Sequence, residues 1–191
     1  MKRKIKNALI SVSDKENLKN LLIILRKYKI NIISSGGTYR SIKKLDFKCE
    51  EISEYTGFDE MLDGRIKTLH PKIHSGILFD RKKNSHKRQM KRKNFQAIDL
   101  VIVNFYPFKE ILKKTSNENK IIENIDIGGP SMVRAAAKNS NDVVILTDKK
   151  DYPEFIQEIK KYKGKTSHRF RENLASKAFS LTAFYDSIIA E

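Results

Sequence analysis

The sequence predicts an α/β protein in which helices cover both faces of a parallel sheet. Apolar runs of strand length alternate along the chain with segments whose apolar residues recur at helical spacing, the pattern of repeated βαβ units. A length of 191 residues is enough for one domain with a substantial core. No repeat or linker-like segment divides the chain. We therefore expect one Rossmann-like, three-layer domain over residues 1–191.

The first half of the chain contains two predicted βα units. Residues 8–12 form an apolar strand, and a helical stripe follows at Leu18, Leu21, Leu22, Leu25 and Tyr28. Residues 31–34 form the second strand, followed by a glycine turn at 36–37 and a helix over about 38–45. Residues 48–52 predict a weaker strand.

The next segment, residues 54–80, has no regular apolar period and carries three glycines and a proline. It predicts a long ordered loop with short helical pieces, and such loops in compact domains are usually functional. Residues 99–103 and 143–146 predict two further buried strands. Between them, Gly129-Pro130 opens a helix, since proline is well tolerated in a first helical turn.

The C-terminal segment predicts a long amphipathic helix. Its apolar stripe consists of Leu174, Ala178, Leu181, Tyr185 and Ile188. A stripe of this length must cover something apolar, which is either the core of the same chain or a second subunit.

The formal net charge of +16 raises the question of nucleic-acid binding. Residues 81–93 hold eight Lys or Arg and no acid, but they contain no aromatic side chain that could stack on a base. Such a run is typical of a solvated surface helix or loop. We therefore do not expect nucleic-acid binding to be the main function.

The single Cys49 cannot form an internal disulfide, which favours a reducing, cytoplasmic location. No metal-type spacing is present: His70 and His74 are four residues apart, but Pro71 argues against a helix that presents both. The basic N-terminus is followed by too short an apolar run for a signal peptide or a membrane span.

Polar clusters follow the predicted strands. Residues 11–15, 35–38 and 104–106 come after three of them, and residues 64–74 combine Arg, Lys, Thr and His around a glycine. Ligands of open α/β sheets bind beyond the carboxyl ends of the strands, so these clusters should converge on one edge. Arg, Lys, hydroxyl groups and a glycine-rich helix start together match a phosphate.

At these motifs, and at residues 125–139 with their run Ala135-Ala136-Ala137-Lys138, the chain resembles a known family. It is similar to the inosine monophosphate (IMP) cyclohydrolase domain of the bifunctional purine-biosynthesis enzyme, whose fold is methylglyoxal-synthase-like. The resemblance runs from about Ala8 to Ile189. It implies ring closure of formyl-AICAR (FAICAR) to IMP without a metal or cofactor. The enzyme's AICAR transformylase half is expected to be absent and supplied by a separate protein.

The resemblance also implies which residues bind the nucleotide. They are Ser13, Asp14, Lys15, Ser35, Gly36, Gly37, Thr38, Arg65, Ile66, Lys67, Thr68, Val103, Asn104, Asp126, Ile127 and Gly128. For Ser13 a second interpretation stays open, namely a helix N-cap that forms a capping box with Glu16.

By the same resemblance, the catalytic residues are Lys138, Lys67, Tyr106 and Asp126. Lys138 would exchange protons from an apolar wall near Lys67 or Arg65, with Asp126 orienting it or relaying the proton. Lys67 and Tyr106 would donate to the developing oxyanion. The structural alternatives are a helix C-terminal cation for Lys138, a turn-forming side chain for Asp126 and a packed aromatic for Tyr106.

Two other functions compete with the cyclohydrolase. The first is a regulatory module of the same fold that binds a nucleotide or phosphate without catalysis. The second is an RNA-binding protein that uses residues 81–93. The resemblance further implies a homodimer.

Overall fold

The computed structural model describes residues 1–106 and 108–190, so that Pro107 and Glu191 lie outside the description. The strands are Arg3–Lys4 (β1), Asn7–Val12 (β2), Asn31–Ser34 (β3), Glu50–Glu51 (β4), Leu100–Asn104 (β5), Val144–Leu146 (β6) and Lys165–Thr166 (β7). A parallel sheet has the order β4-β3-β2-β5-β6, and β1 pairs separately with β7. The predicted α/β fold class is confirmed.

The described helices connect these strands. They are Leu18–Lys27 (α1), Gly36–Lys44 (α2), Ile52–Thr56 (α3), Pro71–Leu78 (α4), Asn84–Arg92 (α5), Phe108–Lys114 (α6), Glu118–Glu123 (α7), Gly128–Lys138 (α8), Tyr152–Lys161 (α9) and His168–Ile189 (α10). Short 3₁₀ turns lie at Leu62–Gly64 and Lys149–Asp151.

The order of the strands reverses between β2 and β5. The chain goes from β2 outward to β3 and β4, and then returns to the other side of β2 for β5 and β6. Because parallel crossovers are right-handed, α1 and α2 cover one face of the sheet and α8 covers the other. Helix α8 packs against β5, β6, α4 and α10, whereas α1 contacts α9. A crevice therefore opens at the carboxyl ends of β2 and β5.

Several predicted boundaries were wrong. The predicted strand over residues 48–52 contains only the two residues of β4, because α3 begins at Ile52. The glycine pair at 36–37 is not a turn before α2 but its first residues. Pro71 does not interrupt a helix but begins α4, with His70 as the N-cap. The sequence analysis also missed α6, α7 and α9.

Helix α5 carries four of the eight lysines and arginines of residues 81–93. Within α5, Met90 is buried and the lysines and arginines are exposed, as expected for a solvated helix. Arg81 differs from the rest of the run, because it donates to the carbonyl of Ile98 (2.9 Å) and pairs with Asp99 (3.1 Å). Arg81 therefore belongs to the fold rather than to the charged surface.

The stripe of α10 covers the chain's own core, since α10 packs on α8 and β6. Leu174, Ala178, Tyr185 and Ile188 are buried as predicted, but Leu181 is only half-buried and Thr182 takes its place. The stripe therefore gives no argument for a second subunit. None of the described helices has both the length and the apolarity that crossing a membrane requires.

Arg171 of α10 joins distant parts of the chain. Its side chain is fully buried and donates to the carbonyls of Ser140 (2.8 Å), Asn141 (3.0 Å) and Thr166 (2.7 Å). These bonds connect α10 to β7 and to the loop between α8 and β6. Because buried carbonyls without donors are costly, this guanidinium fixes the start of α10 against β7 and that loop.

We predict that Arg171→Leu destabilises the protein by about 2–4 kcal/mol, because the carbonyls of Ser140, Asn141 and Thr166 each lose a charged donor in a buried region. Arg169→Leu is the matched control, since Arg169 is exposed on the same helix, and we expect it to change stability by about 0.5 kcal/mol or less. Urea denaturation measures both values. Equal stabilities of the two variants would contradict this role of Arg171.

Candidate functional site

A cleft of about 1000 Å³ opens at the carboxyl edge of the sheet, where the strand order reverses. Volumes of this size accommodate a nucleotide. The cleft brings together these residues predicted for the site: Ser13, Lys15, Ser35, Gly36, Gly37, Thr38, Arg65, Lys67, Thr68, Val103, Asn104, Tyr106, Asp126, Ile127 and Gly128. The clusters that follow β2, β3 and β5 therefore converge, as the parallel sheet requires.

Three predicted residues within the described part of the chain lie outside this lining: Asp14, Ile66 and Lys138. Asp14 faces a neighbouring cavity of about 420 Å³, where its carboxylate pairs with Lys149 at 2.7 Å. The hydrogen bond from Lys149 lowers the pKa of Asp14. Ile66 pairs through its backbone with Met61 in an isolated bridge.

Lys138 does not lie where the sequence analysis expected it. It is the exposed last residue of α8, whereas the first residue of that helix, Gly128, lines the cleft. A helix of this length separates its ends by about 15 Å. The expectation that Lys138 lies in an apolar wall beside Lys67 or Arg65 is therefore wrong for the single chain. Its position matches the alternative interpretation, a cation at the negative end of the helix dipole.

Asn104 holds the loop between β2 and α1 in place. Its Oδ1 accepts from the Ser13 backbone N–H (2.6 Å) and hydroxyl (2.8 Å) and from the Asp14 N–H (3.2 Å), while its Nδ2 donates to the Asp14 carbonyl (3.2 Å). Ser13 is not the predicted N-cap, since α1 begins after Asn17, which occupies that position. Asn104 thus positions the cleft wall as well as lining it.

The start of α2 forms a second wall. Thr38 Oγ1 accepts from the Val12 N–H and donates to the Val12 carbonyl, both at 3.0 Å, which fixes α2 against the end of β2. Ser35 is the N-cap, but its hydroxyl makes no capping hydrogen bond. The hydroxyl and the N–H groups of the first turn are therefore available to an anion.

Within the described residues Lys15 has no carboxylate partner, and its Nζ donates to the Ser13 carbonyl (3.1 Å).

The other two cations of the cleft are already paired. Arg65 forms a two-bond contact with Glu123 of α7, and Lys67 forms an ion pair with Glu60. The contact with Glu123 raises the pKa of Arg65 and lowers that of Glu123. The guanidinium of Arg65 is therefore already paired with a carboxylate of the chain itself.

Asp126 lies at the start of α8. Its Oδ1 accepts from the Gly129 N–H (2.8 Å), and its own N–H donates to the Tyr185 hydroxyl (2.8 Å). Burial raises the pKa of Asp126, and the hydrogen bond from Gly129 opposes that shift. The carboxylate is a stronger base than an exposed aspartate, and it is held by a turn of the type that the alternative interpretation predicted.

Segment 67–68 lies between the starts of α2 and α8. A methyl group added to Gly36 would lie 3.3 Å from Lys67 Nζ, and one added to Gly128 would lie 2.5 Å from Thr68 Oγ1. Gly128 is thus needed for the close approach of Thr68, whereas Gly36 is favoured by its φ of +52°. Tyr106, at the rim, is 58% exposed, which excludes the packed-aromatic interpretation in the single chain and leaves the hydroxyl accessible to a ligand.

The sequence analysis missed the acidic residues of the cleft: Glu60, Asp63 and Glu123. Glu60 and Asp63 lie in the segment that was predicted to be functional. Their negative charges, close in sequence to Arg65 and Lys67, could have indicated that acidic residues line the cleft as well. Glu123 gave no such signal, because α7 itself was not predicted. Together with Asp126 these carboxylates outnumber the cations Lys15, Arg65 and Lys67.

Comparisons with known proteins agree with this fold. The model of the MGS-like domain family matches residues 17–131, and that of the AICARFT/IMPCHase bienzyme family matches residues 136–191. The crystal structure of ForH superposes with a TM-score of 0.86 at 32% identity, covering 97% of each chain.

Two curated relatives are the bifunctional purine biosynthesis proteins PurH of Acetivibrio thermocellus (48% identity over 98% of this chain) and of Thermoanaerobacter sp. (51% over 96%). The chain spans 36% of the length of each. It therefore belongs to the MGS-like domain family and is related to the corresponding part of the bifunctional purine biosynthesis proteins.

Proposed function

We propose that the chain is an IMP cyclohydrolase of purine biosynthesis, which closes the second ring of formyl-AICAR with loss of water. The observation that carries this proposal is that one cleft combines a helix start suited to phosphate, a half-buried basic carboxylate, and hydroxyl and backbone N–H donors suited to an oxyanion. The names of the relatives, which denote purine biosynthesis proteins, support the same reaction.

The phosphate end of the substrate would lie against the first turn of α2. The N–H groups of that turn and the Ser35 hydroxyl are donors, and Lys15 adds a cation with no competing carboxylate in the described chain. A charge-assisted contact of this type contributes about 1.5–3 kcal/mol. Lys15 is therefore assigned to binding.

The reacting end would lie toward α8. Here the carboxamide nitrogen attacks the formyl carbon and loses one proton, while the formyl oxygen gains negative charge. The oxygen takes up two protons and leaves as water, and the former formamide nitrogen loses its proton as the ring C=N bond forms. Asp126 is assigned as the acceptor of the nitrogen's proton, since burial makes it more basic. Tyr106 and the N–H groups of Ile127 and Gly128 are assigned as donors to the oxygen. Lys67, which the resemblance gives to the oxygen, is assigned to the phosphate instead, because its Nζ lies beside Gly36 at the start of α2.

Lys138 cannot join this arrangement within one chain, because α8 separates it from the cleft. A role for Lys138 in proton transfer therefore requires a second copy of the chain that presents it to the first. This is the form in which we propose the homodimer, and it gives the dimer a chemical function.

We predict that the purified chain converts formyl-AICAR to IMP, seen as the appearance of the purine chromophore. Asp126→Asn should lower kcat by about 100-fold or more, since the base is lost. Lys15→Ala should instead raise KM by about ten- to a hundredfold. Lys19→Ala, an exposed lysine of α1, is the control and should change neither constant.

Binding of IMP without any turnover of formyl-AICAR would contradict the proposal. It would favour the alternative, a regulatory module that binds a nucleotide without catalysis.

A second prediction concerns Lys138. If it acts from a second copy, Lys138→Ala and Asp126→Asn should each be nearly inactive, and refolding them as a mixture should restore up to about a quarter of the wild-type activity, because half of the dimers then contain one intact site. Two inactive variants that fail to complement in proven mixed dimers would contradict this assignment. So would a fully active Lys138→Ala.

A further inference from the structure

Glu60 lines the cleft, and its carboxylate forms an ion pair with Lys67. Lys67 is the better buried partner, with 24% of its side chain exposed against 46% for Glu60. Ion pairs this exposed contribute little to folding, about 0–1 kcal/mol. The pair is therefore not explained by a need for stability.

Two glycines leave the space that the pair occupies. Gly64 has a φ of +94°, and a methyl group there would lie 2.9 Å from Glu60 Oε1. At the other end, Lys67 Nζ lies against Gly36, the first residue of α2. The ion pair thus lies between the two glycines, with the ammonium beside the start of α2.

This arrangement places an anion of the protein itself beside the proposed phosphate position. Lys67 is a point charge on a flexible stem, and it pairs with whichever anion is nearest. Although the whole chain is strongly basic, the carboxylates of the cleft outnumber its cations. An incoming phosphate ester must therefore compete with Glu60 for Lys67.

We propose that Glu60 is a displaceable counter-ion, which pairs with Lys67 whenever no phosphate is bound and thereby sets the affinity for the phosphate group. The proposal rests on the proposed function only in that the cleft binds a phosphate ester; it does not require that the reaction occur. Because Lys67 can bind the phosphate only in the molecules in which Glu60 has released it, the pair raises the apparent dissociation constant by the inverse of that free fraction.

The test is the binding of IMP, and of inosine as the ligand without phosphate, to the wild type and to Glu60→Gln by calorimetry. Removing the competitor should tighten IMP binding by about two- to sixfold, the range expected for an exposed pair, and leave inosine binding unchanged. Glu54→Gln, on the exposed side of α3, is the control and should change neither.

The double variant Glu60→Gln/Lys67→Met shows whether the effect acts through Lys67. We expect Glu60→Gln to have no effect on IMP binding in the Lys67→Met background. The proposal would be overturned if Glu60→Gln bound IMP no more tightly than the wild type does. It would also be overturned if Glu60→Gln tightened inosine binding as much as IMP binding, or if it tightened IMP binding equally in the Lys67→Met background. If IMP binds as expected but formyl-AICAR is not cyclised, the proposed function fails while this inference stands.

Discussion

The cleft depends on the side-chain amide of Asn104. This residue ends β5 at the point where the strand order reverses, and it pairs in register with Val12 of β2. From there its amide holds the loop that follows β2 by both its oxygen and its nitrogen. Thr38 makes the equivalent connection between α2 and the end of β2. The walls of the cleft are thus fixed to the central strand before any ligand is present, which is the preorganisation that binding and catalysis require.

Much of this arrangement could be predicted from the sequence, because it follows from local pattern and topology. The apolar runs at β2, β3, β5 and β6 identified a parallel sheet, and a parallel sheet brings the residues after its strands to one edge. The other features of the site could not be predicted, because they depend on distances along helices and on pairs of residues that are far apart in the chain. Lys138 and Asp126 stand in the same motif, yet a helix between them places them at opposite ends. The partners of Arg65 and Asp14, which are Glu123 and Lys149, could not be assigned from sequence spacing.

The charge of the cleft differs from that of the chain. Seen from the sequence, the motif with Arg65 and Lys67 is an anion site in a basic protein, whereas in the fold both cations have carboxylate partners. Much of the excess positive charge lies instead on solvated helices such as α5. Anion binding therefore depends on backbone N–H groups, on Lys15 and on exchange of ion pairs, rather than on net charge.

The central claim is that one nucleotide spans this cleft, from the start of α2 to the start of α8. A crystal structure of the chain with IMP tests it most directly. We expect the phosphate at the first turn of α2, within reach of Ser35 and Lys15, and the purine ring toward Asp126 and Tyr106. A phosphate bound at the exposed cations of α5, or in the cavity beside Lys149, would contradict it.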